Sequence, residues 1–192
     1  MFDLIEFDTE RLHLRQWCSA DKDPFASLNA DPIVMEYFPS ALDRAASDSM
    51  VDRCQARIAE RGWGLWAVEL KESSEFIGFV GLNPTPTEFP LNPCVEVGWR
   101  LAFEYWHHGF ASEAAMGALR VGFDQLNLPE IVSFTTLGNL RSRAVMKRIG
   151  MRYDDETFEH PSFTLGHALR THCVYRLTRE QWQAQKIEWK NP

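Results

Sequence analysis

The stretch from Glu104 to Phe123, EYWHHGFASEAAMGALRVGF, sets two histidines, a glycine and an alanine directly ahead of a run with helical spacing. Adjacent histidines in an extended segment point to opposite faces, and no third ligand stands at a helical or hairpin spacing, so His107 and His108 are not expected to hold a metal. Their side chains read equally well as solvated loop residues. The backbone carries the chemistry. A helix start leaves its first amides unpaired at the positive end of the macrodipole, and Gly109 and Ala111 keep side-chain bulk away from them, which makes a cradle for a diphosphate. Neither of the commoner nucleotide motifs is present: there is no GxxxxGKS/T, and Gly62-Trp63-Gly64 leads into a strand rather than a helix.

The elements that must position this cradle follow from periodicity. RLHLRQW alternates, predicting a first strand over residues 10–17. Ser19 can cap a short helix ending before Asp31-Pro32, which opens a turn toward Tyr37. Between Asp43 and Arg61, the residues Ala46, Met50, Cys54 and Ile58 form an apolar stripe, with Gly62 placed to end the helix in a left-handed cap. WGLWAVEL and EFIGFVGLN, joined by KESS, read as an antiparallel hairpin. The loop PTPTEFPLNP follows, and CVEVGWRL then puts Val95, Val97, Trp99 and Leu101 on one face and Glu96, Gly98 and Arg100 on the other. After the cradle helix, EIVSFTTL is a strand. NLRSRAVMKRIG is a helix with Leu140, Ala144, Val145 and Ile149 inward. MRYDDETF and ALRTHCVYRL are strands, and Thr178 with Gln181 forms a capping box for a last helix. Helical crossovers beside a hairpin require a mixed sheet.

Length and composition suit one soluble α/β domain: 192 residues, 45% apolar, 24% charged. No apolar run approaches the ~18 residues that span a bilayer, and the acidic opening is unlike a signal peptide, so a cytoplasmic location without membrane attachment is expected. Cys18, Cys54, Cys94 and Cys173 are scattered and read as reduced structural thiols. A net charge of −7 argues against nucleic acid as partner and suits a cationic substrate such as an amine.

VEVGWRLAFEYWHHGFASEA followed by TTLGNLRSRAVMKRIGM resembles the GNAT superfamily of acetyl-CoA-dependent N-acetyltransferases, and most closely its RimJ/RimL-like branch. In that branch a strand ending Glu-Ile/Val-Gly-Tyr/Trp leads to Trp-x-x-Gly-x-Ala/Gly-Ser/Thr-Glu-Ala. The resemblance implies a single-domain fold over residues 1–192, with a mixed twisted sheet of about seven strands and helices on both faces. It also implies acetyl-CoA as co-substrate, no metal, and an amine acceptor that is a protein N-terminus or a small molecule. Related enzymes are often homodimers.

Carried over by position, the resemblance assigns the coenzyme A diphosphate to the amides of His107, His108, Gly109, Phe110, Ala111 and Ser112. Trp106 stands where the superfamily pattern has arginine or glutamine. The acetyl and pantetheine arm falls against the backbone of Trp99, Arg100 and Leu101, where Gly98 permits a bulge and an amide near Trp99 or Leu101 would polarise the acetyl carbonyl. Asn139 matches an asparagine that reaches the pantetheine arm or orders its surroundings, and it is equally suited to cap a helix. Met146 occupies the position where many members carry a tyrosine that protonates the departing thiolate, which leaves Ser142 as the available hydroxyl. Glu96 is the candidate base, although a carboxylate on an open sheet face also serves solubility. The Pro84–Pro93 loop and the segment with His160, His167 and His172 are expected to shape the acceptor side. An acyl-CoA-sensing module without turnover is the alternative that Met146 keeps open.

Overall fold

The structure, a computed structural model, describes residues 3–190. Two compact units partition the chain, Met1–Leu82 with Gly98–Gly117, and Asn83–Val97 with Ala118–Pro192.

The first unit opens with β1 (Phe7–Asp8) and β2 (Leu12–Arg15), paired antiparallel with Phe7 opposite Leu14. β2 is shorter than the alternation suggests because side chains take over its ladder: the Gln16 amide donates to Glu6 Oε1 and the Trp17 amide to Gln16 Oε1. A 3₁₀ turn at Ser19–Asp21 leads into α1 (Lys22–Ala30), and turns carry the chain to α2 (Arg44–Arg61). Asp43 caps α2 by accepting the Ala46 amide at 2.8 Å, and Gly62, at φ 85°, ends it as expected.

The buried face of α2 is Ser47, Val51, Cys54 and Ile58, while Ala46 is exposed and Met50 only half-buried. A strict four-residue repeat drifts around a helix of 3.6 residues per turn, so the alternating three and four spacing stays on the core where the predicted stripe leaves it. β3 (Leu65–Leu70) pairs antiparallel with β2 and with β4 (Phe76–Pro84). Leu12, Leu14, Phe25, Ile58, Trp66 and Ile77 form a sealed core, each contributing ~1.5–3 kcal/mol by burial.

β5 (Val95–Leu101) begins in the second unit and ends in the first, where α3 (Phe110–Arg120) starts. In the second unit β6 (Glu130–Thr136) runs parallel to β5, with Glu96 opposite Val132. α4 (Leu140–Arg148) follows, then β7 (Arg152–Glu159) and β8 (Thr171–Thr178), antiparallel to each other, with β8 also antiparallel to β6. Met146 and Ile149 are the buried residues of α4 and the turn after it, whereas Leu140 and Ala144, expected inward, are exposed. α5 (Arg179–Lys190) carries the reciprocal box the sequence predicts: the Gln181 amide donates to Thr178 Oγ1 and the Thr178 amide to Gln181 Oε1.

The strand order is β1-β2-β3-β4-β5-β6-β8-β7, a mixed sheet of eight strands among the described residues, with five α-helices. The two-residue β1 is the strand beyond the seven expected, too short to show a period of its own. All four cysteines are free thiols. No helix among the described residues is long and apolar enough to cross a membrane.

Candidate active site

At the head of α3 a 3₁₀ turn, Phe103–Tyr105, is followed by two residues in the left-handed region, His107 at φ 65° and Gly109 at φ 83°. Gly109 is required by that conformation rather than by crowding: a Cβ there would meet only Arg11 Nη2, at an ordinary 3.5 Å. The Gly109 carbonyl accepts the Glu113 amide at 3.0 Å, so the chain is helical from Phe110 and the amides of Phe110 and Ala111 have no carbonyl four residues back to pair with. Ser112 is buried in the same turn.

Arg11 completes the head of the helix. Its guanidinium donates to the His108 carbonyl at 3.0 Å, pairs with Glu113 at 2.7 Å and lies over the Phe110 ring at 4.5 Å. Burial works to raise the pKa of Glu113, but hydrogen bonds from Thr9 and Arg11 outweigh it and hold the carboxylate below its ordinary range. The Glu113 charge is thereby matched, and the positive end of α3 remains available to an anion. These residues fit a diphosphate: first-turn amides, a two-step left-handed approach, and a cation alongside.

Upstream, the Trp106 indole N–H donates to the Leu101 carbonyl at 2.8 Å, and its ring meets Phe103 edge-on. The aromatic residue standing in place of arginine or glutamine therefore fastens the loop to the end of β5. Trp99 is half-buried and Leu101 buried. The backbones of β4 and β5 approach closely at Gly78, where a Cβ would sit 2.2 Å from the Arg100 carbonyl oxygen. Arg100 itself is buried, 8% exposed. Its Nη1 donates to Asn29 Oδ1, its guanidinium lies 4.0 Å from the Phe38 ring centroid, and burial pulls its pKa down to about 10. Nearby in this unit a cavity of about 510 Å³ carries Asp31, Glu75, Glu104 and Tyr105 beside Phe76 and Phe103.

In the second unit Asn139 caps α4: its Oδ1 accepts the Ser142 amide at 3.1 Å, and its Nδ2 donates to Thr135 Oγ1 at 3.0 Å and to Ser142 Oγ at 3.2 Å. Both N–H groups of the amide are used, so Asn139 is a cap and also a holder of the Ser142 hydroxyl. Since Ser142 Oγ accepts from Asn139, its own proton is turned to other acceptors. Met146 is 1% exposed, so the position where relatives carry tyrosine is a core position here.

Glu96 departs from the open-face carboxylate of the sequence reading. It is half-buried, no hydrogen bond or ion pair reaches its carboxyl among the described residues, and burial alone pushes its pKa up to about 8. Register puts it on the face that carries Val132 and Phe134. One residue on, the Ser133 hydroxyl donates to the Val97 carbonyl at 2.9 Å, a side chain standing in where an amide would continue the ladder.

Phe134 belongs to a cluster with Phe89, Phe158, His160, Phe163 and His172. The proline-rich loop and the 158–175 segment do meet, through Phe89 against Phe158 and His160, each at 5.4 Å between ring centroids. His160 and His172 lie 4.7 Å apart. Burial and then His172 hold the His160 pKa down to about 4, and burial lowers that of His172 as well. Both are neutral rings at physiological pH. His167 is exposed and touches Phe163. The sequence reading passed over Arg11, Asn29 and Phe89, whose roles depend on distant partners. Among the described residues no group of side chains could hold a metal ion.

Residues 11–152 match the model of the acetyltransferase (GNAT) domain. The protein YkkB of Bacillus subtilis is 33% identical over 150 residues, covering 76% of this chain and 84% of that one. FsC-acetyl coenzyme A-N(2)-transacetylase of Aspergillus fumigatus is 32% identical over 184 residues, 91% of this chain and 76% of that one. The crystal structure of an acetyltransferase from Agrobacterium tumefaciens superposes with a TM-score of 0.74 at 30% identity, covering 92% of this chain and 96% of that one. With a left-handed approach to unpaired helix-start amides at the head of α3 and this match over most of its length, the chain belongs to the GNAT family and is an acetyl-CoA-dependent N-acetyltransferase.

Proposed function

We propose that the 192 residues form one acetyltransferase domain of the RimJ/RimL-like branch, which moves the acetyl group of acetyl-CoA to a primary amine by direct attack through a tetrahedral intermediate. The acceptor is a protein N-terminus or a small amine. Amides from His107 to Ser112, with Arg11 beside them, bind the diphosphate, and the backbone at Trp99–Leu101 lies along the acetyl arm. The Ser142 hydroxyl, held by Asn139, protonates the departing thiolate.

The observation that carries this reading is Glu96. A carboxyl with a pKa of about 8 and no partner is matched to taking, near neutral pH, the proton that a neutral amine sheds as it attacks, which an ordinary surface carboxylate is not. The name of the Aspergillus relative, a transacetylase acting at N(2), agrees with transfer to nitrogen. A screen of amines and N-terminal peptides with acetyl-CoA, read by a mass gain of one acetyl group and by thiol release, tests it. Acetylated amine with stoichiometric thiol is expected. Thiol release without acetylated amine defeats amine transfer, and acetyl-CoA binding with neither product on any acceptor returns the chain to the sensing alternative.

A further inference from the structure

We propose that Arg100 is the receptor for a carboxylate carried by the amine acceptor, so that the enzyme's substrates are zwitterionic, amino-acid-like amines. The inference rests on the amine-transfer reading above and concerns the part of the acceptor that does not react.

Among the described residues Arg100 is a buried cation without an anion. Of its five N–H groups, Nη1 alone has a hydrogen-bond partner, Asn29 Oδ1. Nε is buried with none. Its guanidinium also lies over the rings of Phe38, 4.0 Å away, and Phe79, 5.5 Å away. Cys54, whose charge would act on it, supplies none, because burial pushes its thiol up to about 11. A guanidinium taken out of water and left uncompensated is unfavourable for the fold and calls for an explanation, and an anion that arrives later supplies one.

The surroundings are built rather than accidental. Ser47 Oγ accepts from Asn29 Nδ2 at 2.9 Å, both residues being 0% exposed, and this fixes which face of the Asn29 amide is turned to Arg100. The Asn29 carbonyl in turn accepts the Leu42 amide at 3.0 Å, anchoring the far end of the segment that carries Phe38. With Nη1 committed, the edge formed by Nε and Nη2 is left, and two parallel N–H groups at that spacing are the complement of one carboxylate. The rings of Phe38 and Phe79 add no donors of their own for the extra charge of a phosphate. Phe38, which covers the guanidinium, is half-buried on a stretch with neither helix nor strand.

The test compares kcat/KM for matched triples of acceptors, an amino acid, its primary amide and its decarboxylated amine, in the wild type, Arg100→Met and Arg100→Lys. The ratio within a triple is the readout. The wild type is expected to favour the amino acid by at least about 10-fold, chiefly through KM. Arg100→Met should bring the ratio to near one, and Arg100→Lys, which keeps the charge and loses the fork, should fall between. In parallel, thermal shifts with propionate and with methylphosphonate at matched ionic strength read the site without turnover. Propionate should raise the melting temperature of the wild type and not of Arg100→Met. A wild-type ratio near one, a preference that survives Arg100→Met, an equal propionate response in both proteins, or a response to methylphosphonate alone overturns the proposal. Propionate binding that needs Arg100 in a protein that acetylates no amine would uphold the carboxylate site and refute amine transfer.

Discussion

Replacing Glu96 by glutamine removes an ionisable group whose folded pKa, about 8, stands well above its ordinary 4.5. At pH 7 about one such carboxyl in ten is ionised. For an α-amine acceptor, whose own pKa is near ~8, both the base and the nucleophile must lose a proton, so log kcat/KM of the wild type should climb by about two per pH unit below 8. In Glu96→Gln the climb falls to about one, and at pH 8.5 the rate drops by about 100-fold, the lower end of what a general base contributes. The same substitution has a thermodynamic signature. The folded chain holds this proton more tightly than the unfolded one, so the contribution is complete below pH 4.5 and is lost as pH rises through 8. At full burial the difference is about 5 kcal/mol, and for a half-buried group screening by water reduces it to about 2–3 kcal/mol. Denaturant melts at pH 5 and pH 9 should therefore show Glu96→Gln gaining about that much on the wild type at the higher pH. Equal slopes of the rate profile, together with a rate loss under about threefold, refute the assignment of Glu96 as base.

Ser142→Ala should lower kcat by about 10² with little change in acetyl-CoA affinity, measured by pre-steady-state thiol release and calorimetry. Asn139→Ala should cost about 1 kcal/mol of stability through the lost cap, and should reproduce part of the Ser142→Ala rate loss because that hydroxyl loses its holder. Gly109→Ala, at φ 83° with open space around it, should lose about 1–2 kcal/mol to backbone strain and weaken acetyl-CoA binding, read by calorimetry. His160, held at about 4, charges more readily unfolded than folded, so its contribution is present above pH 6.5 and lost as pH falls toward 4; His160→Phe should flatten that limb of the acid melt.

What could be read from the sequence was what repeats or punctuates. The capping box at Thr178 and Gln181, the Gly62 stop and the GFASEA helix start are local signals, and each is found where its spacing puts it. The inward faces of α2 and α4 were misjudged because a short amphipathic run is compatible with neighbouring rotations, and tertiary packing chooses among them: Ser47 is buried over Ala46 because Asn29 waits for its hydroxyl. Arg100 read as the polar face of a strand, since nothing in its own neighbourhood of sequence announces Asn29, 71 residues away. Glu96 was identifiable as a candidate, but not its raised pKa, which depends on what covers it.

The Thr9, Arg11 and Glu113 linkage spans more than a hundred residues of chain to seat the opening strand segment on the first turn of α3. On the proposed reading, coenzyme recognition is thus assembled partly from residues 9–11, far from α3 in sequence. During synthesis the cradle stays unfinished until Glu113 emerges, and appending bulk next to residues 9–11, or trimming through them, would loosen a grip that lies far along the chain.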